Sequence, residues 1–462
     1  VDLPRKFLDS NGVRQHTDVV IKDGEVKFFA PAKEVDAAIK KGDMSAAVRH
    51  TLSQLNVCSQ KGLGEIFDST IGAGSVLMPF GGKYQLTPSI AMAATLPTNG
   101  VTDTATVCAY GFNPYLMSES PFLGAVYSVL LSAVKTVAAG APLSSIRLTL
   151  QEFFERMGTD PARWGKPAGA LLGALAAQLG LGLGAIGGKD SMSGSFEKID
   201  VPPTLISFAL GVTKSKYVTD NVLRGGEKVY RLKLRTDIYA MPNFEHAVEL
   251  LKLLSGEIAR GRVKFATVVE EGGAAAAVMK SAFGNKLGFN FTYKDTRNLF
   301  APYLGDILVA LEDPDDFVGY EPELIGETTA DGKFTFAEGC VSVEDAINAF
   351  TGKLEKVYPT VAHAAGEAEN ITFCGAGAPK PAKKKKNVKV FIPVFPGTNC
   401  EFDTAKRFML AGAEPVIRVI RNRSQEELSE SLDEMAKCIE KCQIIAFPGG
   451  FSGGDEPDGS GK

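Results

Sequence analysis

The run from Phe122 to Ala139 is apolar and interrupted by Lys135, and it restricts the fold more than any other stretch of the chain. Ser120 ahead of it is a good N-cap, and Pro121 suits the first helical position, where a missing N–H costs nothing. A helix therefore begins after Ser120, with apolar residues on nearly all faces through Val137. Against the ~20 residues a membrane span requires, the run is marginal and carries a lysine, so it reads as a helix buried inside a domain. No membrane partner is expected.

A chain of 462 residues holds about three domains at roughly 150 residues each. With 45% hydrophobic and 23% charged residues it can bury sizeable cores. Fifty basic against 54 acidic side chains leave a net charge of -4, so no global field draws in a phosphate polymer, and nucleic acid is not an expected partner. Seven cysteines without a CxxC pair fit a reduced, cytoplasmic protein. The start at Val1, with neither a methionine nor a signal-peptide pattern, leads us to expect a piece of a longer polypeptide.

The pattern of elements predicts an α/β (α+β) chain. Residues 1–45, with a strand-like run at 18–22 and a helical stretch through Ala32 to Lys41, read as a connector. Residues 46–218 form a first sheet-containing domain, with strands predicted at Ile90 to Leu96, Ala105 to Tyr110, Ser145 to Leu150 and Leu205 to Val212. A second helix is predicted from Pro167 to Leu179, stopped by Gly180, with Leu171, Leu172, Leu175 and Leu179 at helical spacing on one face. The polar hinge from Asp220 to Glu227 opens a domain over 219–375, with strands at Lys228 to Leu234 and Val263 to Val269 and a helix at Phe244 to Leu254. Residues 376–387, rich in Gly, Ala and Pro and ending in Lys383 to Lys386, read as a linker. Beyond it, strands at Val388 to Phe395, Pro415 to Ile420 and Cys442 to Phe447 alternate with helices, the first of them Cys400 to Gly412. That is the opening of a doubly wound parallel sheet over 388–462.

Several motifs are weighed against plainer readings. Gly182, Gly184 and Gly187 spell GxGxxG, but a helix precedes them where dinucleotide binding requires a strand. The segment Gly187, Gly188, Lys189, Asp190, Ser191, Met192, Ser193 holds two open readings. Its glycines allow close backbone approach, Lys189 offers a point charge, and the Ser191 and Ser193 hydroxyls suit phosphate oxygens, with Asp190 aligning the lysine or holding a cation. A surface turn bonded to its own backbone fits equally. Gly449 and Gly450 could aim backbone N–H groups at a reacting oxygen, although a strand-ending turn is commoner. Cys400 has no histidine after it, so a buried structural thiol is expected rather than a nucleophile. His16, His50, His246 and His363 show no metal-ligand spacing, and no metal site is proposed from them. Trp164 is expected to pack on a domain flank, or else to line a cleft.

Taken in order, Phe112-Asn-Pro-Tyr115, Ser120-Pro-Phe-Leu-Gly-Ala-Val-Tyr127, Arg163-Trp-Gly-Lys-Pro167, Gly187-Gly-Lys-Asp-Ser-Met-Ser193, Pro396-Gly-Thr-Asn-Cys-Glu401 and the end from Phe447 resemble the phosphoribosylformylglycinamidine synthase family in its large single-chain form. The resemblance implies a ligase that makes formylglycinamidine ribonucleotide from formylglycinamide ribonucleotide, ATP and glutamine in purine synthesis. It also implies two similar synthase halves followed by a glutaminase of the Cys-His-Glu kind. This chain resembles the second half plus the opening of the glutaminase, with the first half and the rest of the glutaminase as implied partners and self-association as a further expectation.

Two departures follow from the same resemblance. In long members this half can hold an auxiliary nucleotide with magnesium, and the corresponding positions here are Ser89, Leu130, Val134 and Glu271. Three of four oxygen ligands are missing, and hard cations require several oxygens, so a degenerate ATP and magnesium site is expected. The catalytic Cys, His and Glu of the glutaminase would lie past Lys462, which leaves Gly449 and Gly450 as oxyanion candidates with no nucleophile. The plainer alternative is a non-catalytic scaffold half that stabilises a catalytic partner.

Overall fold

The computed structural model describes residues 3–5, 16–22, 29–66, 70, 74–98, 100–361, 366, 369–375, 377 and 385–450. Most of the expected linker at 376–387 and everything from Phe451 on lie outside these. The chain divides into two compact units, Val1–Leu96 with Thr102–His363, and Pro97–Val101 with Ala364–Lys462.

The first unit opens with helices α1 (Lys33–Lys40) and α2 (Met44–Leu52). Asp43 caps α2 by accepting from Ala46 N at 2.9 Å. The stretch read as a connector contributes Val35, Ala38 and Ile39 to a core cluster, and Asp36 pairs with Arg297 at 2.6 Å. The strand-like run at 18–22 is not a strand; Val20 N donates to Pro161 O at 2.9 Å.

A five-stranded sheet follows, built from β1 (Met92–Thr95), β2 (Thr104–Gly111), β3 (Arg147–Phe153), β4 (Ala185–Ser191) and β5 (Thr204–Lys214). Its order is β1-β2-β5-β3-β4, antiparallel except for the β3–β4 edge pair. Alternation in β5 sends Leu205, Ser207 and Ala209 to a covered face and leaves Leu210 and Val212 on the other.

The cover is helical. After the short α3 (Pro114–Glu119) comes α4 (Pro121–Ala138), started by Ser120, which accepts from Leu123 N at 3.2 Å, with Pro121 in its first turn. Helix α4 is long and apolar enough to cross a membrane, yet 89% of it is buried inside the unit, as its pattern predicted. It lies on the sheet closely enough that Ser132 and Ser207 hydroxyls meet at 2.9 Å. At Gly111 an added Cβ would stand 2.0 Å from Ser128 O, so only glycine permits this approach.

Helix α5 (Pro161–Leu181) corrects the sequence reading at both ends and in its facing. It starts six residues before the predicted Pro167 because Asp160 caps it, accepting from Ala162 N at 2.8 Å, with Pro161 at the first position. It runs past Gly180 to a left-handed cap at Gly182. The face that packs is the small one, Gly165, Gly169, Ala170, Gly173, Ala174 and Ala177, while the leucine face is half or more exposed. Close helix contact explains the inversion: a Cβ at Gly173 would sit 2.0 Å from Phe122 O. Trp164 is partly buried against the core and donates to Gly158 O at 3.1 Å, the flank position expected of it.

A seven-stranded sheet completes this unit, with β6 (Lys228–Leu232), β7 (Ala266–Val268), β8 (Gly288–Phe291), β9 (Ile307–Ala310), β10 (Glu323–Thr329), β11 (Lys333–Phe336) and β12 (Gly339–Ser342) in the order β7-β9-β6-β10-β8-β11-β12. One core cluster runs from α4 and α5 through α6 (Phe244–Ala259) onto one side of this sheet, including Leu232, Ile307 and Val309. The other side, with Val229, Leu308 and Ile325, packs α1, α2, α7 (Gly273–Phe283) and α8 (Val343–Gly352).

In the second unit, β13 (Lys389–Val394), α9 (Glu401–Leu410), β14 (Glu414–Val419), α10 (Gln425–Lys441) and β15 (Ile444–Ile445) alternate. All pairs are parallel in the order β14-β13-β15, with β13 in the middle. This is the doubly wound opening that the sequence predicted.

Candidate functional site

The glycine-lysine segment is not a surface turn. Gly187, Gly188, Lys189, Asp190 and Ser191 lie in β4, the exposed edge of the first sheet, and Ser193 follows it. Gly188 is required there, because a Cβ would come within 2.5 Å of Leu150 O on β3. The parallel register sets Gln151 opposite Lys189, Glu152 opposite Asp190 and Phe153 opposite Ser191. Side-chain alternation then divides the strand into two chemistries.

On the open face, Lys189 Nζ donates to Ser191 Oγ, and Gln151 Nε2 donates to Lys189 O at 3.0 Å. The ammonium and hydroxyl proposed for an anion are thus adjacent on one face, Lys189 exposed and Ser191 half-buried. On the other face stands Glu152, which the sequence reading passed over. It is 5% exposed, and its Oε1 has no hydrogen-bond partner. Burial, with the Asp190 charge adding to it, pushes its carboxyl up to about 7. Just past β3, Glu155 is buried and takes Lys166 Nζ at 2.5 Å; beyond β4, Ser195 and Arg163 both bond Asp200. The signal for Glu152 was available as a glutamate on the buried side of an alternating strand.

A cavity of about 740 Å³ lies elsewhere in this unit, beside α1, α2 and α3, lined in part by His50, Gln54, Asn113, Tyr115, Glu119 and Glu271. Asn113 caps α3 by accepting from Tyr115 N and Leu116 N, and its Nδ2 donates to Glu271 Oε1 at 2.8 Å. Burial raises the Glu271 carboxyl, a shift that Asn113 opposes and Glu270 reinforces.

Of the four positions singled out by the resemblance, Ser89, Leu130, Val134 and Glu271, two carry no side-chain oxygen. Leu130 and Val134 are fully buried in the apolar core. Ser89 Oγ is engaged with Met78 O at 2.5 Å, and Glu271 with Asn113. Glu270 Oε1 is taken by Lys135 Nζ at 2.6 Å. Among the described residues no three or more His, Cys, Asp or Glu form a group that could hold a metal ion.

In the second unit, Gly449 and Gly450 follow β15 and close against the turn after β13. Asn399 N donates to Gly449 O at 2.8 Å, Thr398 bridges Gly450, and a Cβ on Gly450 would stand 2.2 Å from Gly397 O. They sit at the C-terminal ends of parallel strands, where doubly wound folds place ligands. Cys400, expected to be buried, is exposed. It occupies a left-handed position, φ 66°, immediately before α9, and the turn itself carries its side chain to the surface.

Residues 387–462 match the family model of the CobB/CobQ-like glutamine amidotransferase domain. This tail is glutamine amidotransferase-like. No curated protein matches the chain. Among solved structures it is similar to phosphoribosylformylglycinamidine synthase II from Thermotoga maritima, at 12% identity and TM-score 0.49, over 74% of this chain and 58% of that one. It is also similar to PurLQS from Thermotoga maritima, at 13% identity and TM-score 0.49, over 76% of this chain and 58% of that one. A third likeness, to AaThiL complexed with AMPPCP and TMP, has 11% identity and TM-score 0.36, over 54% of this chain and 86% of that one. The chain thus spans a little over half the length of the first two of these structures.

Proposed function

We propose that this chain is the second synthase-type half, with the opening of the glutaminase, of an ATP- and glutamine-dependent ligase acting on formylglycinamide ribonucleotide. The carrying observation is the amidotransferase-like tail, matched over 387–462, directly downstream of an α/β unit whose edge strand bears Lys189 and Ser191. In such a ligase ATP phosphorylates the substrate amide oxygen, and ammonia from glutamine displaces the resulting phosphate to leave the amidine. This chain's share is binding: Lys189 and Ser191 engage the substrate's phosphate on the open face, while Gly449 and Gly450 prepare the amidotransferase end.

A scaffold reading has its own support in Leu130, Val134 and the Lys135–Glu270 pair, which put apolar side chains and an ammonium rather than free oxygens at these positions. The two readings meet in one design, in which this half binds substrate and shapes a cleft completed by another chain or segment. The open face of the first sheet favours such pairing. Met92, Tyr110, Phe153, Leu210 and Val212 on it are between 39% and 53% exposed, and the counterpart half or a second copy would cover them.

Calorimetric titration with formylglycinamide ribonucleotide tests the binding role. The chain is expected to bind it, and Lys189→Ala is expected to weaken binding by about 10- to 100-fold, the size of one lost charge-assisted contact. Equal affinity in Lys189→Ala, or no binding by the unaltered chain, contradicts the proposal.

A further inference from the structure

Lys135 is the one charged residue of α4, and 3% of its side chain is exposed. An uncompensated ammonium at that depth would be strongly disfavoured. It is compensated on three sides. Its Nζ lies 2.6 Å from Glu270 Oε1, donates to Tyr110 O at 3.2 Å, and stands 4.5 Å from the Tyr110 ring centroid. Burial by itself would lower the lysine's pKa, but the Glu270 charge and hydrogen bond, together with Tyr110, outweigh it and keep the group protonated.

The placement matters as much as the pairing. Tyr110 is on β2 of the first sheet, and Lys135 is on the helix that covers that sheet. Glu270 is in the turn between β7 of the second sheet and α7. That turn is held by Gly272 and Gly273, both at positive φ; a Cβ on Gly273 would lie 2.4 Å from Leu299 O. Lys135 therefore ties both sheets together at the same turn where Glu270 and Glu271 present carboxylates. Lys280, on α7, adds a second ammonium to this neighbourhood. Burial lowers its pKa, as does Lys135, while Glu270 raises it. A divalent ion would require a shell of oxygens at this point; the chain supplies lysine nitrogen, and the neighbouring helix positions are Leu130, Leu131 and Val134.

We infer that the Lys135 ammonium does the work of a bound metal ion here, as a built-in cation that joins the two sheets through Glu270 and makes this half's folded state independent of magnesium and nucleotide. The inference concerns the chain's own residues and stands or falls apart from the ligase reading, because its test uses stability and not substrate binding.

Thermal unfolding of the whole chain provides that test. Neither EDTA nor millimolar magnesium chloride is expected to move the melting temperature of the unaltered protein. Lys135→Met is expected to lower it on the order of 5 °C, because the half-buried Glu270 loses the ammonium it is paired with. Lys135→Met with Glu270→Leu, which removes both charges, is expected to recover most of that loss. If Lys135→Met does not fold at all, a folded double variant supports the inference and an unfolded one overturns it. A melting temperature that falls with EDTA, a Lys135→Met variant that melts with the unaltered protein, or a folded double variant no better than the single also overturns it.

Discussion

Arg231→Met is expected to destabilise the first unit by about 3–5 kcal/mol, the usual consequence of removing one member of a buried ion pair. Arg231 is on β6, a central strand, and is 2% exposed. Its guanidinium bonds Asp306 Oδ2 at 2.6 Å and Asn298 Oδ1 at 2.9 Å, and lies 4.3 Å from the Tyr303 ring centroid. Asp306 also accepts from Leu234 N at 2.8 Å, so the carboxylate fixes the chain where β6 ends. Burial already raises the Asp306 carboxyl despite the arginine beside it. Methionine keeps the volume and strands that carboxylate. Denaturant midpoints with unchanged slopes measure the loss, and a change below about 1 kcal/mol would count against this reading.

Glu152→Gln is expected to change how stability depends on pH. The folded carboxyl, at about 7, lies above its ordinary value of 4.5. Between those values the folded chain holds a proton that the unfolded chain has released, so stability is full below about 4.5 and falls as pH rises through about 7. At about 1.4 kcal/mol per unit the accumulated loss approaches roughly 3 kcal/mol. Glutamine carries no charge at any of these pH values. The variant should match the unaltered protein near pH 4.5 and exceed it by roughly 3 kcal/mol near pH 8. Identical pH profiles for the two proteins would contradict the assignment.

Much of the fold was legible because hydrophobic pattern and caps agree. Ser120 and Pro121 announce α4, and the mostly apolar run Leu205 to Val212 announces β5. The second unit was readable as strand, helix and strand in order. The facing of α5 was not, because an apolar stripe and a close-packing glycine-alanine stripe share the helix, and only the partner decides which is buried. The lysine segment is not a turn for a related reason: glycines that suit a turn also let an edge strand lie against its neighbour, as Gly188 does on Leu150. The Lys135–Glu270 pair depends on a contact between residues 135 positions apart, and local pattern carries no record of it.

The proposal that this is one half of a paired assembly is tested most directly by sedimentation equilibrium over a series of chain concentrations, on the unaltered protein and on a Leu210→Lys, Val212→Lys double variant. Concentration-dependent association of the unaltered chain, abolished by the two lysines on the open sheet face, is the expected result. An unaltered chain that remains monomeric at the highest concentration would contradict pairing of this face with a second copy.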